Sequence, residues 1–365
     1  MKIVFLDLAT QYQQLKTEID SVIQQVLGKG PLIGGAFVES FEKTFADYHG
    51  VNHCISTGNG TDSLFAALKM NGIGPGDEVI TPAWSWISTS ETISLTGARP
   101  VFADVDAESF TISIADIELK ITSRTKAVIA VHLYGQCCDM SALQQLCSRH
   151  NLILIEDCAQ AHGAKQNGKP AGTFSSVSSY SFYPTKNLGA IGDAGCLLPN
   201  DDDLAIRLRR FVNHGGLSKD EHLLEGTNSR MDSVQAAVLG VKLKYLNDWN
   251  AKRQKIAQLY FEGLKGVDSI ELPKTTSGNE HVFHLFVVRS KKRDALKRHL
   301  AKSGIETLIH YPTALPFEPA YSHLKFTPKD FPVAYQLQHE VLSLPCHPYL
   351  TDAEVAYICH TIRKF

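Results

Sequence analysis

The 365-residue chain is 44% hydrophobic and 20% charged, with 36 basic residues against 38 acidic ones and a formal net charge of -2. These values describe a soluble globular protein with room for two domains, and they exclude a disordered or strongly polarised chain. No basic stripe points to nucleic acid, and no apolar run is long enough to span a bilayer.

In chain order, the first residues lack the long apolar region of a signal peptide, because Asp7 breaks it. Residues 11–50 have helical periodicity. Ile19, Ile23 and Leu27 form one apolar stripe and Phe41, Phe45 and Tyr48 another, with a glycine-rich break over residues 28–35. Residues 53–56 form a short strand candidate, followed by Gly58-Asn59-Gly60-Thr61-Asp62-Ser63 and a helical run over 64–70. Glycines opening a helix whose first turn carries hydroxyls suit an anion, since free N–H groups and the helix dipole face it. A plain strand-to-helix turn fits the same residues. Strands over 78–81, 100–102, 127–132 and 152–155 alternate with helices, one of them covering 143–147. That alternation implies a mainly parallel sheet covered on both faces, an α/β fold.

Such sheets bind ligands at the carboxyl ends of their strands, which gathers Gly60, Thr61, Trp86, Asp157 and Lys186 in one place. Asp157 ends a buried strand, where an acid needs a partner, so a helix cap or a salt bridge also fits it. Trp86 fits a core aromatic equally. His132, Asp157 and His162 lack metal-ligand spacing, and no metal site is expected.

The stretch 176–195 reads as a strand over 177–182 that stops at Pro184, then Lys186, then Gly189, Gly192 and Gly195. A lysine in a turn just past a buried strand sits where backbone can approach a ligand closely, although an ordinary surface lysine has the same local signature, and a lysine beside a bound pyridoxal phosphate forms a Schiff base. A basic helix is expected over 204–214. Asp232 with Gln235 resembles a capping box opening one long helix that carries Val234, Val238, Val241, Tyr245 and Trp249 on one face. The domain boundary is placed near 250, giving a large domain over 1–250 and a smaller α+β domain over 251–365. The latter is expected to hold strands at 282–289 and 307–311, a helix at Arg293–Lys302, and a capping box at Thr351 and Glu354 before a terminal helix. The eight cysteines include no CxxC pair, and Cys54, Cys158 and Cys196 sit in or beside apolar runs, so a reducing, cytoplasmic setting is expected.

Several short blocks carry a joint resemblance. They are GNGTDSL at 58–64, PAWSWIST at 82–89, EDCAQAHGA at 156–164, SFYPTKNLGAIGDAG at 181–195, NSRMDSVQAA at 228–237 and LSLPCHP at 342–348. In order and spacing they resemble the DegT/DnrJ/EryC1/StrS family of sugar-nucleotide aminotransferases that use pyridoxal 5'-phosphate. The resemblance begins at Phe5-Leu6-Asp7-Leu8 and covers nearly the whole chain. It implies a type I aminotransferase fold and a homodimer with active sites at the subunit interface. It further implies that Lys186 holds the cofactor and shuttles a proton, that Asp157 partners the pyridine nitrogen, and that Trp86 stacks on the ring. Gln160 then bonds the ring hydroxyl, while Gly60, Thr61 and Ser181 hold the phosphate and Asn228 reaches it from the other subunit. A branch of the family with histidine in place of this lysine acts as a dehydratase, and Lys186 argues against that branch.

The phrase FYPTKNLGAIGD is similar to members acting at C3 of dTDP-linked 3-keto-6-deoxyhexoses, with L-glutamate as amino donor. UDP-linked 3-keto sugars, C4 keto sugars and a non-catalytic cofactor-binding regulator are the alternatives. Tyr183, His310 and Tyr311 are candidates for the sugar site.

Overall fold

A computed structural model describes residues 2–365. The chain opens with helices α1 (Leu8–Lys29) and α2 (Ala36–His49). Asp7 caps α1 by accepting the Thr10 N–H at 2.9 Å. Ile19 is buried as expected, but Leu27 is 68% exposed and Val26 takes the inward position. An alternation of strands and helices follows: β1 (Ile55–Thr57), α3 (Gly60–Met70), β2 (Glu78–Pro82), α4 (Ser88–Leu95), β3 (Arg99–Ala103), α5 (Ile114–Lys120), β4 (Thr125–Val131), α6 (Met140–His150) and β5 (Ile153–Asp157). A short hairpin, β6 (Lys165–Gln166) and β7 (Lys169–Pro170), leads to β8 (Val177–Ser181) and β9 (Gly195–Pro199).

The main sheet has seven strands in the order β1-β9-β8-β5-β4-β2-β3, and only β9 runs antiparallel to its neighbours. Its central strands are buried on both faces, which explains their continuous apolar runs. Because β1 and β8 both pair antiparallel to β9, the carboxyl ends of β1, β2, β4, β5 and β8 share one edge. β9 lies outside the strands expected from sequence.

The remainder comprises α7 (Asp202–Phe211), α8 (Ser233–Leu243), α9 (Leu246–Gly263), β10 (Asn279–Glu280), β11 (Phe286–Arg289), α10 (Arg293–Lys302), α11 (Pro332–Glu340), β12 (Val341–Leu344) and α12 (Asp352–Arg363). The single long helix expected after Asp232 is two helices, broken at Lys244 and Tyr245. Asp232 makes no side-chain cap, and the Gln235 side chain is engaged elsewhere: its Oε1 accepts the Ile191 N–H at 3.0 Å. The strand expected at 307–311 reduces to one bridge between Leu308 and Ser343, and the strand expected from 282 begins only at Phe286. The capping box at Thr351 and Glu354 is present in full. A second core forms among Ile256, Tyr260, Phe286, Leu296, Leu342 and Ile358, while Phe331 and Leu337 pack with Phe102 of the main sheet. Among the described residues, no helix is long and apolar enough to cross a membrane.

Successive residues of β5 face opposite sides. On the face away from Asp157, buried Glu156 accepts the N–H groups of Gly172, Phe174 and Ser175 and a bond with His132 Nε2 at 2.9 Å. His132 Nδ1 accepts the Cys138 N–H, so Nε2 carries the proton. Cys158 lies close enough to complete a three-ligand set, but the Glu156 oxygens are occupied and burial holds the Cys158 thiol well above its usual pKa. This cluster is a strut that fixes β5. Glu156→Ala is expected to cost about 3–5 kcal/mol by chemical denaturation, since it orphans several buried donors at once.

Candidate active site

Lys186 sits in a turn closed by its own N–H to the Tyr183 carbonyl at 2.9 Å. The turn is held from several directions. Ala190 N–H bonds the Phe182 carbonyl, Lys242 Nζ donates to the Gly189 carbonyl at 2.7 Å, and Gln235 takes the Ile191 N–H. Asn187 is clamped by Asn250 Oδ1 at 2.9 Å and by His284 Nδ1 at 3.0 Å. Burial pulls the Lys186 amine down to about 8, only partly countered by Asp157.

Asp157 ends β5 and is 6% exposed. Its Oδ1 accepts the Ala159 N–H at 3.0 Å, and Thr89 Oγ1 reaches Oδ2 at 3.4 Å. Burial raises its carboxyl pKa, and the Ala159 N–H followed by Lys186 pulls the other way. The amine and the acid thus oppose each other across strand ends, each displaced toward its neutral form by burial, and no ion pair joins them.

Beside them stands the N-terminus of α3. Asn59 caps it by accepting the Asp62 N–H at 2.8 Å. Gly60 lies so close to β8 that a Cβ there would meet the Ser181 Cβ at 2.6 Å, and a Cβ on Gly195 would strike the Asn59 backbone at 2.5 Å. Only glycine allows this helix end to settle onto the sheet edge. Thr61 Oγ1 contacts Ser88 Oγ at 2.8 Å, bringing the first turns of α3 and α4 together. Free N–H groups and hydroxyls from Thr61, Ser88 and Ser181 therefore converge on one cradle suited to a phosphate. Ser88 went unnoticed in the sequence, as did Thr89, which is aimed at Asp157.

Aromatic side chains border this end of the sheet. Trp86 is 59% exposed rather than a core residue, and its neighbour Trp84 is the buried one. The Trp86 ring lies 5.7 Å from that of Tyr311. Gln160 Nε2 donates to Tyr311 Oη at 3.0 Å, while its Oε1 accepts the Tyr134 N–H at 2.6 Å. His310 bonds Ser343 Oγ through Nδ1 at 2.8 Å, and burial pulls its pKa down to about 4, with Lys186 adding to the effect. Tyr183 projects from the Lys186 turn and is half exposed. Asn228 is exposed and bonds Arg230 rather than any residue of this cleft. The adjacent Ser229 ties its loop to Gly58 N–H and Asp62. The structure therefore brings together every singled-out residue except Asn228. A buried amine opposite a buried acid, with an anion cradle and an aromatic wall beside them, fits a planar phosphorylated aldehyde such as pyridoxal phosphate.

Comparison with known proteins agrees with this geometry. The profile of the DegT/DnrJ/EryC1/StrS aminotransferase family matches residues 13–363. The erythromycin biosynthesis sensory transduction protein EryC1 of Saccharopolyspora erythraea is 44% identical over 100% of this chain and 99% of its own. The dTDP-3-amino-3,6-dideoxy-alpha-D-galactopyranose transaminase of Aneurinibacillus thermoaerophilus is also 44% identical, with the same coverage. The crystal structure of S. venezuelae DesV in complex with a ketimine intermediate superposes with a TM-score of 0.98 at 42% identity, covering 100% of this chain and 98% of that one. A match of this extent, on a chain whose strand ends hold the amine, the acid and the anion cradle, places it in the DegT/DnrJ/EryC1/StrS aminotransferase family.

Proposed function

We propose that this protein transfers the amino group of L-glutamate to the C3 keto carbon of a dTDP-linked 3-keto-6-deoxyhexose, with pyridoxal 5'-phosphate as cofactor. The observation that carries the reading is the placement of Asp157 at the end of β5 and of Lys186 in the turn that follows the neighbouring parallel strand β8. Bound there, the cofactor supplies an electron sink for a carbanion. The Asp157 carboxylate keeps a proton on the group it faces. The first turn of α3 at Gly60 and Thr61, with Ser181, holds a phosphate dianion, and Trp86 covers one face of the ring. The Gln160 amide orients a hydroxyl from the side, and Lys186 moves a proton on and off the reacting carbon.

Tyr183, His310 and Tyr311 border the sugar's position. Asn228, exposed and turned away from its own cleft, suits a role in a homodimer in which Asn228 of the partner subunit completes the phosphate site. Residues 1–250 are read as the cofactor domain and 251–365 as the smaller one, in a cytoplasmic enzyme.

The direct test offers dTDP- and UDP-linked 3-keto and 4-keto sugars with glutamate and identifies the products by mass and NMR. A 3-amino dTDP-sugar is expected. A 4-amino product, or a preference for UDP, would replace the substrate assigned here, and no turnover with any of them would leave a regulator.

The displaced lysine pKa adds a second expectation. Only the neutral amine attacks an aldehyde. Cofactor uptake by the cofactor-free protein should therefore accelerate with pH and level off above about 8. A midpoint near the ordinary lysine value, followed by stopped-flow absorbance, would show that the amine is solvated.

A further inference from the structure

A cavity of about 270 Å³ lies against the Lys186 turn, bordered by Phe5, Thr185, Arg253, His284, His310 and Leu344. Arg253 comes from α9 and is 4% exposed. Its Nη1 donates to the carbonyls of Phe283, His284 and Cys346, and its Nε has no acceptor. Among the described residues no carboxylate pairs with it. Burial lowers its pKa, yet a guanidinium stays charged, so this is a buried cation compensated only by carbonyl dipoles.

The two imidazoles on the same wall do not share that charge. Burial drives His310 down to about 4 and His284 well below its usual range. The cavity thus has apolar walls and, among the described residues that border it, a single full charge, which is positive.

Size and position narrow the occupant. Drug-sized ligands fill about 300–1,000 Å³, so this space admits a small acid and excludes a nucleotide-linked hexose. Thr185, which directly precedes Lys186, lines the cavity, so an acid held by Arg253 borders the turn that carries the reacting amine. A planar fork of donors matches a carboxylate in particular.

We propose that Arg253 binds a carboxylate of the amino donor, making this cavity the donor subsite, which shares His310 with the place of the nucleotide sugar but not Arg253. The proposal rests on the transamination reading. The two half-reactions of a ping-pong enzyme can be measured apart, which gives a test. In Arg253→Gln, the glutamate concentration for half-maximal conversion of the cofactor-bound enzyme should rise about 10- to 100-fold. The reverse half-reaction, started with the amino sugar, should be unchanged. Glutarate, a dicarboxylate without an amine, should bind the wild-type holoenzyme in calorimetry and lose the same factor in the variant. Arg253→Lys, which keeps the charge and loses the fork, should fall between the two and serves if the glutamine variant does not fold.

Equal slowing of both half-reactions would mark Arg253 as structural and overturn the proposal, as would unchanged glutarate affinity. Failure of every amino donor to convert the wild-type enzyme would remove the donor assignment through its parent reading, an outcome distinct from a defect confined to Arg253.

Discussion

Lys186→Ala is expected to lower transamination by at least about 10⁴-fold, because in the function proposed above one side chain supplies both the nucleophile and a general acid/base worth about 10²–10⁴ on its own. The turn should survive the substitution. Its shape is fixed by the Lys186 N–H to Tyr183, by Asn187 between Asn250 and His284, and by Lys242 on the Gly189 carbonyl, none of which needs the Lys186 side chain. The variant should bind the cofactor without a covalent link, and borohydride treatment should leave no labelled peptide. Lys186→Arg should not rescue it, since a guanidinium stays protonated at any usable pH.

Lys242 makes the peptide assignment necessary. It too is buried, and burial pulls its amine down to about 8. Its nitrogen is committed to the Gly189 carbonyl, however, and Asp157 contributes nothing to its shift. Label on the peptide carrying Lys242, or activity within tenfold of wild type in Lys186→Ala, would dismantle the assignment.

The parts of this site that sequence made legible are those whose chemistry is local. The continuous apolar run of β5 and the polar Asp157 at its end mark a buried strand opening onto a ligand. The Gly60 and Thr61 pattern marks a glycine-opened helix end with the chemistry to accept an anion. The rule placing ligands at strand carboxyl ends then joins segments far apart in the chain. The supports were not legible, because their partners are distant and carry no local pattern. Thr89 meets Asp157 across 68 residues, Asn187 meets Asn250 across 63, and Lys242 meets Gly189 across 53. The two tryptophans of PAWSWIST illustrate the same limit. Trp86 fits a core aromatic as well as a site residue by sequence, but β2 ends at Pro82, and the turn that follows buries Trp84 against Tyr134 while lifting Trp86 out. The break at Lys244 and Tyr245 is also invisible to periodicity, since apolar residues continue at helical spacing on both sides of it.

Asp157→Asn is expected to separate stability from catalysis, moving them in opposite directions. The amide is isosteric and its oxygen can still accept the Ala159 N–H, so the local structure should be retained. What disappears is a negative charge opposite Lys186 and the cofactor. The loss of one partner from the buried charge pair that Asp157 would form with the bound cofactor is worth about 3–5 kcal/mol, or roughly 10²- to 10⁴-fold in rate.

In the cofactor-free protein the sign reverses. Burial holds the folded-state pKa of Asp157 above 3.8, and Lys186 offsets only part of this. The folded state therefore binds more protons than the unfolded chain, and stability is lost as pH rises from the unfolded value through the folded one. At neutral pH the ionised acid is thus a net cost, and Asn removes it. Thermal melts of the cofactor-free proteins should place Asp157→Asn above wild type at pH 7, with the gap closing as pH falls through the raised folded-state value toward about 4. Addition of cofactor should reverse the order, because only wild type has a carboxylate to meet it. A variant that melts lower than wild type without cofactor, or that keeps turnover within tenfold, would mean that Asp157 is a structural acid and that the ring's partner lies elsewhere in the cleft.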